Sequence, residues 1–324
     1  MIASRRAGTS AAFTILEILV SMAILSILVI ALSGLMNLAN RTYKSSNARL
    51  DAFESARSAF EMLTRHLRQA VLHSYWGYDN PQNPVHYAMH SDLHFVAGPG
   101  SALGTGGGSS HAVFFQAPLG AAESPALRQN TLLLNNVGYL VRFGDDPLVP
   151  PPLRSAFPAR NRFRLHLFQA PREKFVTYNH TLKTDGGVIV GDDQFSGFDW
   201  FRNDLAADRF LHAIADNVIA VLIRPVASDG TSPGYLWNSR SSGRPEQLHR
   251  LPDTLDVAMV VIDDASAARL GEAADDFPAA LFRDPASFDS DLQQLESYYL
   301  KMTPPVDVRI FRTEISLSAS NAES

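Results

Sequence analysis

Residues 13–40 read FTILEILVSMAILSILVIALSGLMNLAN, and the charged Arg41 follows them. From Ile18 to Asn40 the run carries no charge, and its length of about 23 residues suffices to cross a bilayer as a helix. Arg5 and Arg6 precede it. A secretory signal needs a shorter apolar core, about 7–15 residues, and a small-residue cut site, for which Ala31-Leu32-Ser33 is available. A plain transmembrane anchor needs only length and hydrophobicity. Neither reading accounts for Glu17. A carboxylate at the head of a membrane helix is costly in lipid and calls for a partner, although the helix N-terminal dipole favours it there.

Phe13-Thr14-Ile15-Leu16-Glu17 resembles the prepilin cleavage and methylation motif of type IV pilin-like proteins. In that family a short basic leader is cut just before a phenylalanine, and the fifth mature residue is a glutamate. The resemblance implies a leader of residues 1–12, cleavage between Ala12 and Phe13 with a prepilin peptidase as partner, and N-methylation of Phe13. It also implies that Glu17 neutralises the Phe13 amine of a neighbouring subunit. A lone carboxylate in lipid is expensive, whereas one paired with an ammonium group on the next subunit rewards in-register assembly. The residue before the cut is usually glycine; here it is Ala12. Lysines and arginines do not fix an orientation, since Arg41, Lys44 and Arg49 follow the span that Arg5 and Arg6 precede. The resemblance implies a single pass through the inner membrane, N-terminus cytoplasmic and head periplasmic, with extraction into a periplasmic or surface filament.

Beyond Arg41 the helical pattern continues. Phe53, Ala56, Phe60, Leu63, Leu67 and Ala70 recur at intervals of three and four and share one face. Arg57, Glu61 and Arg65 lie elsewhere at i,i+4 spacing. The expected division is a leader 1–12, a transmembrane helix 13–40, an amphipathic extension of the same helix 41–75, a globular head 76–318 and a frayed tail 319–324. Phe60 to Ala70, FEMLTRHLRQA, is similar to the end of the long helix in J-type minor pseudopilins. Tyr75-Trp76-Gly77-Tyr78-Asp79-Asn80-Pro81, followed by Ser91-Asp92-Leu93-His94-Phe95-Val96, is similar to the Verru_Chthon cassette protein C family of prepilin-type proteins.

From about Asn80 the pattern changes to short strand-like runs. Phe163, Leu165 and Leu167 alternate with Arg162, Arg164 and His166, which predicts a half-buried antiparallel strand. Val218–Ile223 is apolar on both faces and reads as a central strand; Asp256–Ile262 is another. Val308 and Ile310 keep one phase, and Thr313, Ile315 and Leu317 the other, which predicts a bulge near Phe311 and Arg312. Gly98 to Ser110 reads as a mobile surface loop, and Ser290 with Gln293 as a capping box for a short helix. The expected fold class is α+β: a long N-terminal helix packed on an antiparallel sheet head.

Composition narrows the function. Of 324 residues, 46% are hydrophobic and 19% charged, the net charge is −5, and there is no cysteine. Thiolate metal sites and cysteine nucleophiles are thereby excluded, and the absence of a basic surplus argues against nucleic acid as a partner. The glycine-rich loop lacks the lysine and hydroxyl of a P-loop. His86, His90 and His94 recur every four residues without a zinc-type spacing and read as surface histidines. The pairs Asp192-Asp193, Asp263-Asp264 and Asp275-Asp276 lack EF-hand spacing and read as solvated turns. No cofactor is expected; calcium, which some pilin-like proteins bind, is kept as a secondary candidate. The prepilin resemblance implies a structural rather than enzymatic role: a minor pilin or pseudopilin of a type II secretion or type IV pilus-like filament or its tip, with other pilin-like subunits as partners. The alternative is a membrane-tethered periplasmic ligand-binding protein or enzyme. Tyr75, Trp76 and Tyr78 would suit a ligand-capturing head and suit core packing equally well.

Overall fold

The computed structural model describes residues 15–78, 85–106, 108–145, 152, 160–175, 184–185, 188–189, 198–227, 229–241, 243–278 and 280–317. Helix α1 spans Ile15–Arg68. The chain continues through β1 (Ser74–Tyr78), β2 (Tyr87–Ser91), β3 (Val96–Pro99), α2 (Gly100–Leu103), β4 (His111–Pro118), β5 (Leu134–Gly144) and β6 (Arg162–Ala170). Then come β7 (Thr184–Asp185), β8 (Val188–Ile189), α3 (Asp199–Ala206), β9 (Leu211–Asp216), β10 (Val218–Val226) and β11 (Trp237–Asn238). Last are β12 (Thr254–Ile262), α4 (Asp264–Leu270), α5 (Phe288–Leu300) and β13 (Val308–Ser316). The fold class is α+β as expected, with a long apolar N-terminal helix and antiparallel sheets. Two compact units divide the chain, residues 1–50 and 51–324.

The first unit is helical over its described residues. The most apolar 18 residues of Ile15–Asn40 have a mean hydropathy of 2.8 and the stretch is unburied, so it is long and apolar enough to cross a membrane. Its hydroxyls turn back onto the helix: Ser21 Oγ donates to the Glu17 carbonyl at 2.7 Å and Ser26 Oγ to the Met22 carbonyl at 2.8 Å. Such back-bonding lets a serine sit in an apolar helix without an unsatisfied donor.

In the second unit α1 runs on from Asp51 and buries the predicted face. Ala56, Leu63 and Leu67 are wholly buried, and Phe53, Phe60 and Ala70 nearly so. Each buried leucine contributes roughly 1.5–3 kcal/mol relative to exposure. On the opposite face Arg57 Nε meets Glu61 Oε1 at 3.0 Å in an exposed pair, worth a few tenths of a kcal/mol. The helix ends at Arg68, short of the expected residue 75. Gln69 and Ala70 close it by bonding back to the His66 and Leu67 carbonyls, and Val71 N–H donates to the Gln116 carbonyl at 2.9 Å. That bridge to β4 commits the backbone to sheet.

Six strands form one antiparallel sheet in the order β11-β3-β4-β5-β6-β9, and three form another, β10-β12-β13. Both meet α1. The Phe60 and Phe311 rings lie 6.0 Å apart, the Arg309 guanidinium stands 4.6 Å above the Phe53 ring, and the Tyr139 hydroxyl is 2.8 Å from His66 Nδ1. The far face of the six-stranded sheet is covered by α3, whose Trp200, Phe201 and Leu205 form a second core with Val96, Phe114, Leu140 and Phe168. Phe114 and Phe201 stack at 3.8 Å and 4°. Opposite Phe114 in the ladder stands Gly138, where a Cβ would lie 2.2 Å from the Phe114 ring. Only glycine leaves room for that ring.

Three strand expectations are corrected by these layers. Strand β6 is buried on one face and partly buried on the other, where α3 covers Phe168, and Asp216 with nearby carbonyls takes Arg164, while Arg162 and His166 stay half-buried. Strand β10 is at the edge of its sheet, with β12 at the centre; its two-faced apolarity reflects packing in the main core. The β12–β13 register is unbroken from Thr254↔Ser316 to Ile262↔Val308, so no bulge occurs at Phe311 or Arg312. Apolar residues sit on both faces of β13 since α1 packs on one and α5 contributes to the core near the other. Register shifts occur instead at Val218/Ala220 and Leu165/His166.

Candidate functional site

Glu17 lies in the first turn of α1, exposed. Ala12 and Phe13, the expected cleavage site, lie outside the described residues, as do Asp192-Asp193 and the tail 319–324.

The Gly98–Ser110 segment, expected to be a mobile loop, is built into the fold over its described residues. Leu103 is wholly buried and Gly104 caps α2 in the left-handed conformation. Arg202 Nε donates to the Leu103 carbonyl at 2.8 Å, with its guanidinium 4.6 Å above the Phe198 ring. Gly108 (φ +47°) adjoins Asp275 so closely that a Cβ there would lie 1.6 Å from Asp275 Oδ2. Ser109 N–H donates to that carboxylate at 3.4 Å, and Ser109 Oγ to the Asp275 carbonyl at 3.0 Å. Asp275 therefore anchors the loop, and burial raises its pKa. Asp264 takes Arg160 at 2.8 Å and Arg162 at 3.6 Å. Among the described residues no group of three or more histidine or carboxylate side chains converges as metal ligands do.

The three periodic histidines part company. His86 is exposed and His90 half-buried. His94 is wholly buried, against expectation, because Asp92 and Leu93 turn the chain inward ahead of Phe95 and Val96, which are buried too. Trp200 Nε1 donates to His94 Nδ1 at 3.0 Å, leaving Nε2 to donate to Asn238 Oδ1 at 2.8 Å. Burial, aided by the Arg240 charge, lowers its pKa to about 3. The ring is a neutral strut between α3 and β11. His111 is likewise buried, with a pKa lowered to about 4 by desolvation. Its Nδ1 accepts from Ile223 N–H at 3.0 Å, and Ser110 Oγ accepts from Val221 N–H at 3.0 Å.

Arg164, expected on a wet face, is 2% exposed. Its guanidinium donates to Asp216 at 2.7 Å and to the carbonyls of Gly144, Asp145 and Arg160 at 2.8, 3.0 and 3.1 Å. A buried guanidinium is tolerable when its donors are met this fully. Arg224 is similarly paired with Asp256.

Among the described residues of the head, the exposed tyrosine and tryptophan side chains gather on the β1–β2 ribbon. Trp76 is 67% and Tyr87 65% exposed, and Tyr78 is nearly half exposed. Trp76 pairs across the ladder with Met89, and Tyr78 with Tyr87, so strand alternation puts all of them on one face. The two tyrosine rings stack at 4.7 Å, with their hydroxyls 3.1 Å apart. Tyr75 and His90 occupy the other face, next to His249. Beside the ribbon a cleft of about 380 Å³ is lined by Ser74, Met89, Asp229, Glu246, Arg250 and Asp253 among others. Tyr75, Trp76 and Tyr78 are legible in the sequence as candidate ligand-capturing residues, whereas Tyr87, Met89, Glu246 and Asp253 are not. The Tyr87–Met89 alternation beyond the proline-containing stretch 79–84 was the available sign of a hairpin partner.

No family model matches the sequence, and no curated protein matches it. Neither the J-type nor the Verru_Chthon cassette resemblance thus gains a counterpart there. Among solved structures, a type IV-like pilin from Thermus thermophilus aligns over 81% of this chain and 95% of its own, at 12% identity and a TM-score of 0.34. At that score the likeness carries no argument about function.

Proposed function

We propose that the chain is a minor pilin or pseudopilin, a subunit that assembles rather than catalyses. The observation behind the reading is α1: its first part, Ile15–Asn40, is wholly exposed and apolar, while the part from Phe53 to Leu67 is bound into the core of a folded head. Apolar surface left uncovered on that scale calls for lipid or for the helices of other subunits. Cleavage between Ala12 and Phe13 by a prepilin peptidase leaves a Phe13 amine, which is then methylated. In the inner membrane Glu17 pairs with the Phe13 amine of a neighbouring pilin-like subunit, so that two costly charges neutralise each other only in register. The N-terminus lies on the cytoplasmic side and the head in the periplasm, and the subunit passes into a filament of the type II secretion or type IV pilus kind.

Mass spectrometry of the mature chain purified from its own membranes tests this. A methylated Phe13 at the N-terminus is the expected result. A chain that starts near Gly34 would show the segment to be an ordinary signal peptide and overturn the reading.

A further inference from the structure

The β1–β2 ribbon joins two properties that rarely coincide without a partner. Its strands pair only with each other among the described residues, leaving the outer edges open, and one face presents Trp76, Tyr78 and Tyr87 to solvent. Ribbons of two strands are marginal alone and gain from a third. Open edges are the usual template for an added strand.

Charge selects the occupant. The cleft is lined by Ser74 and Met89, which share the Trp76 face, and by His249 beside His90 on the other, and it carries the carboxylates of Asp229, Glu246 and Asp253 against the guanidinium of Arg250. Thr231 holds Asp229 through its N–H and its hydroxyl. The side chains of Glu246 and Asp253 make no hydrogen bond or ion pair among the described residues. Aromatic ring faces attract cations through their quadrupole, and carboxylates attract the same cations. A neutral glycan could stack on the rings but would leave the carboxylates without counter-charge.

We propose that the aromatic face of the ribbon and the acidic cleft beside it form a docking track for an extended, lysine- or arginine-bearing segment of a partner protein. The segment adds to an open ribbon edge through its backbone. Its cationic side chains lie over Trp76 and the tyrosine pair and reach Glu246 and Asp253. This concerns the head alone and holds whether or not the N-terminal helix assembles.

The test uses the full chain in nanodiscs of zwitterionic lipid, with fluorescence anisotropy of dye-labelled peptides. The probes are a peptide of alternating lysine and valine, its glutamate–valine counterpart, and cellohexaose as a neutral glycan competitor. The lysine peptide should bind and the glutamate peptide should not. Trp76→Ala, and separately the pair Glu246→Gln with Asp253→Asn, should each weaken binding about tenfold, while Trp76→Phe keeps most of it. Thermal unfolding of each variant identifies any that fails to fold, and the substitutions at exposed Glu246 and half-buried Asp253 leave a second route if Trp76→Ala does. Equal binding of the two peptides, loss equal in Trp76→Phe and Trp76→Ala, or displacement of the lysine peptide by cellohexaose would each overturn the proposal.

Discussion

His111 Nδ1 lies 3.0 Å from the backbone nitrogen of Ile223, and that contact closes a sheet edge. Strand β10 has a ladder partner on one side only, β12. On the other side Ser110 Oγ and His111 Nδ1 take the N–H groups of Val221 and Ile223, which a neighbouring strand would otherwise take. Replacing His111 by leucine keeps an apolar volume and orphans the Ile223 N–H. Denaturant unfolding of His111→Leu should show a loss of about 1–3 kcal/mol; an unchanged midpoint would mean the contact contributes nothing.

Two buried neutral histidines make stability depend on pH. The folded pKa values are about 3 for His94 and about 4 for His111, against an ordinary 6.5. Below 6.5 the unfolded chain takes up protons that the folded one refuses, so stability falls as pH falls. The loss continues to about pH 4 for His111 and about pH 3 for His94. Each contributes a slope of about 1.4 kcal/mol per pH unit across its window. Urea midpoints measured from neutral pH downward should decline through this range, and less steeply in His111→Gln.

Trp200→Phe removes the indole donor to His94 Nδ1 while keeping a ring against Phe114 and Phe201. The acceptor is left buried without it, at a cost of roughly 1–3 kcal/mol. The same variant should raise the His94 pKa, since the indole N–H holds Nδ1 in its unprotonated form; NMR titration of the ring reads this directly.

Gly108→Ala places a methyl group on the Asp275 carboxylate at a left-handed position. The loop must shift and the Ser109–Asp275 contacts open, costing roughly 1–3 kcal/mol. Amide exchange should rise at Ser109 more than in the β12 core.

Glu17→Val tests the assembly proposal. Filament incorporation should fall steeply, while the melting temperature of the head stays where it was. Incorporation equal to the parent chain would remove Glu17 from the mechanism.

The helical half of the fold was legible because its signal is local. Phe53, Ala56, Phe60, Leu63, Leu67 and Ala70 announce their face by spacing, and all are buried. Strands were found as runs, but their places were not. Val218–Ile223 and Asp256–Ile262 look alike in sequence, and only the connections decide that the second is central. Burial of Arg164 depends on Asp216 and on carbonyls of Gly144, Asp145 and Arg160, partners that periodicity cannot see. The helix at Phe288–Leu300 was misplaced by its start: Ser290 was the expected cap, yet Asp284 and Pro285 open the segment with Asp284 accepting from Ala286 N–H. Of the ribbon's face, one strand was readable and the other was hidden beyond residues 79–84. The three carboxylates of the cleft beside it come from far along the chain.

The absent side chain of Gly138 has a spectroscopic consequence. Where another residue would begin its side chain, Gly138 has a proton, and that proton lies against the Phe114 ring, itself stacked on Phe201. The ring current of Phe114 displaces the resonance of this proton from the usual glycine range. One well-separated peak thereby reports whether the sheet is closed by α3, and it can be followed in intact membranes or filaments without unfolding anything.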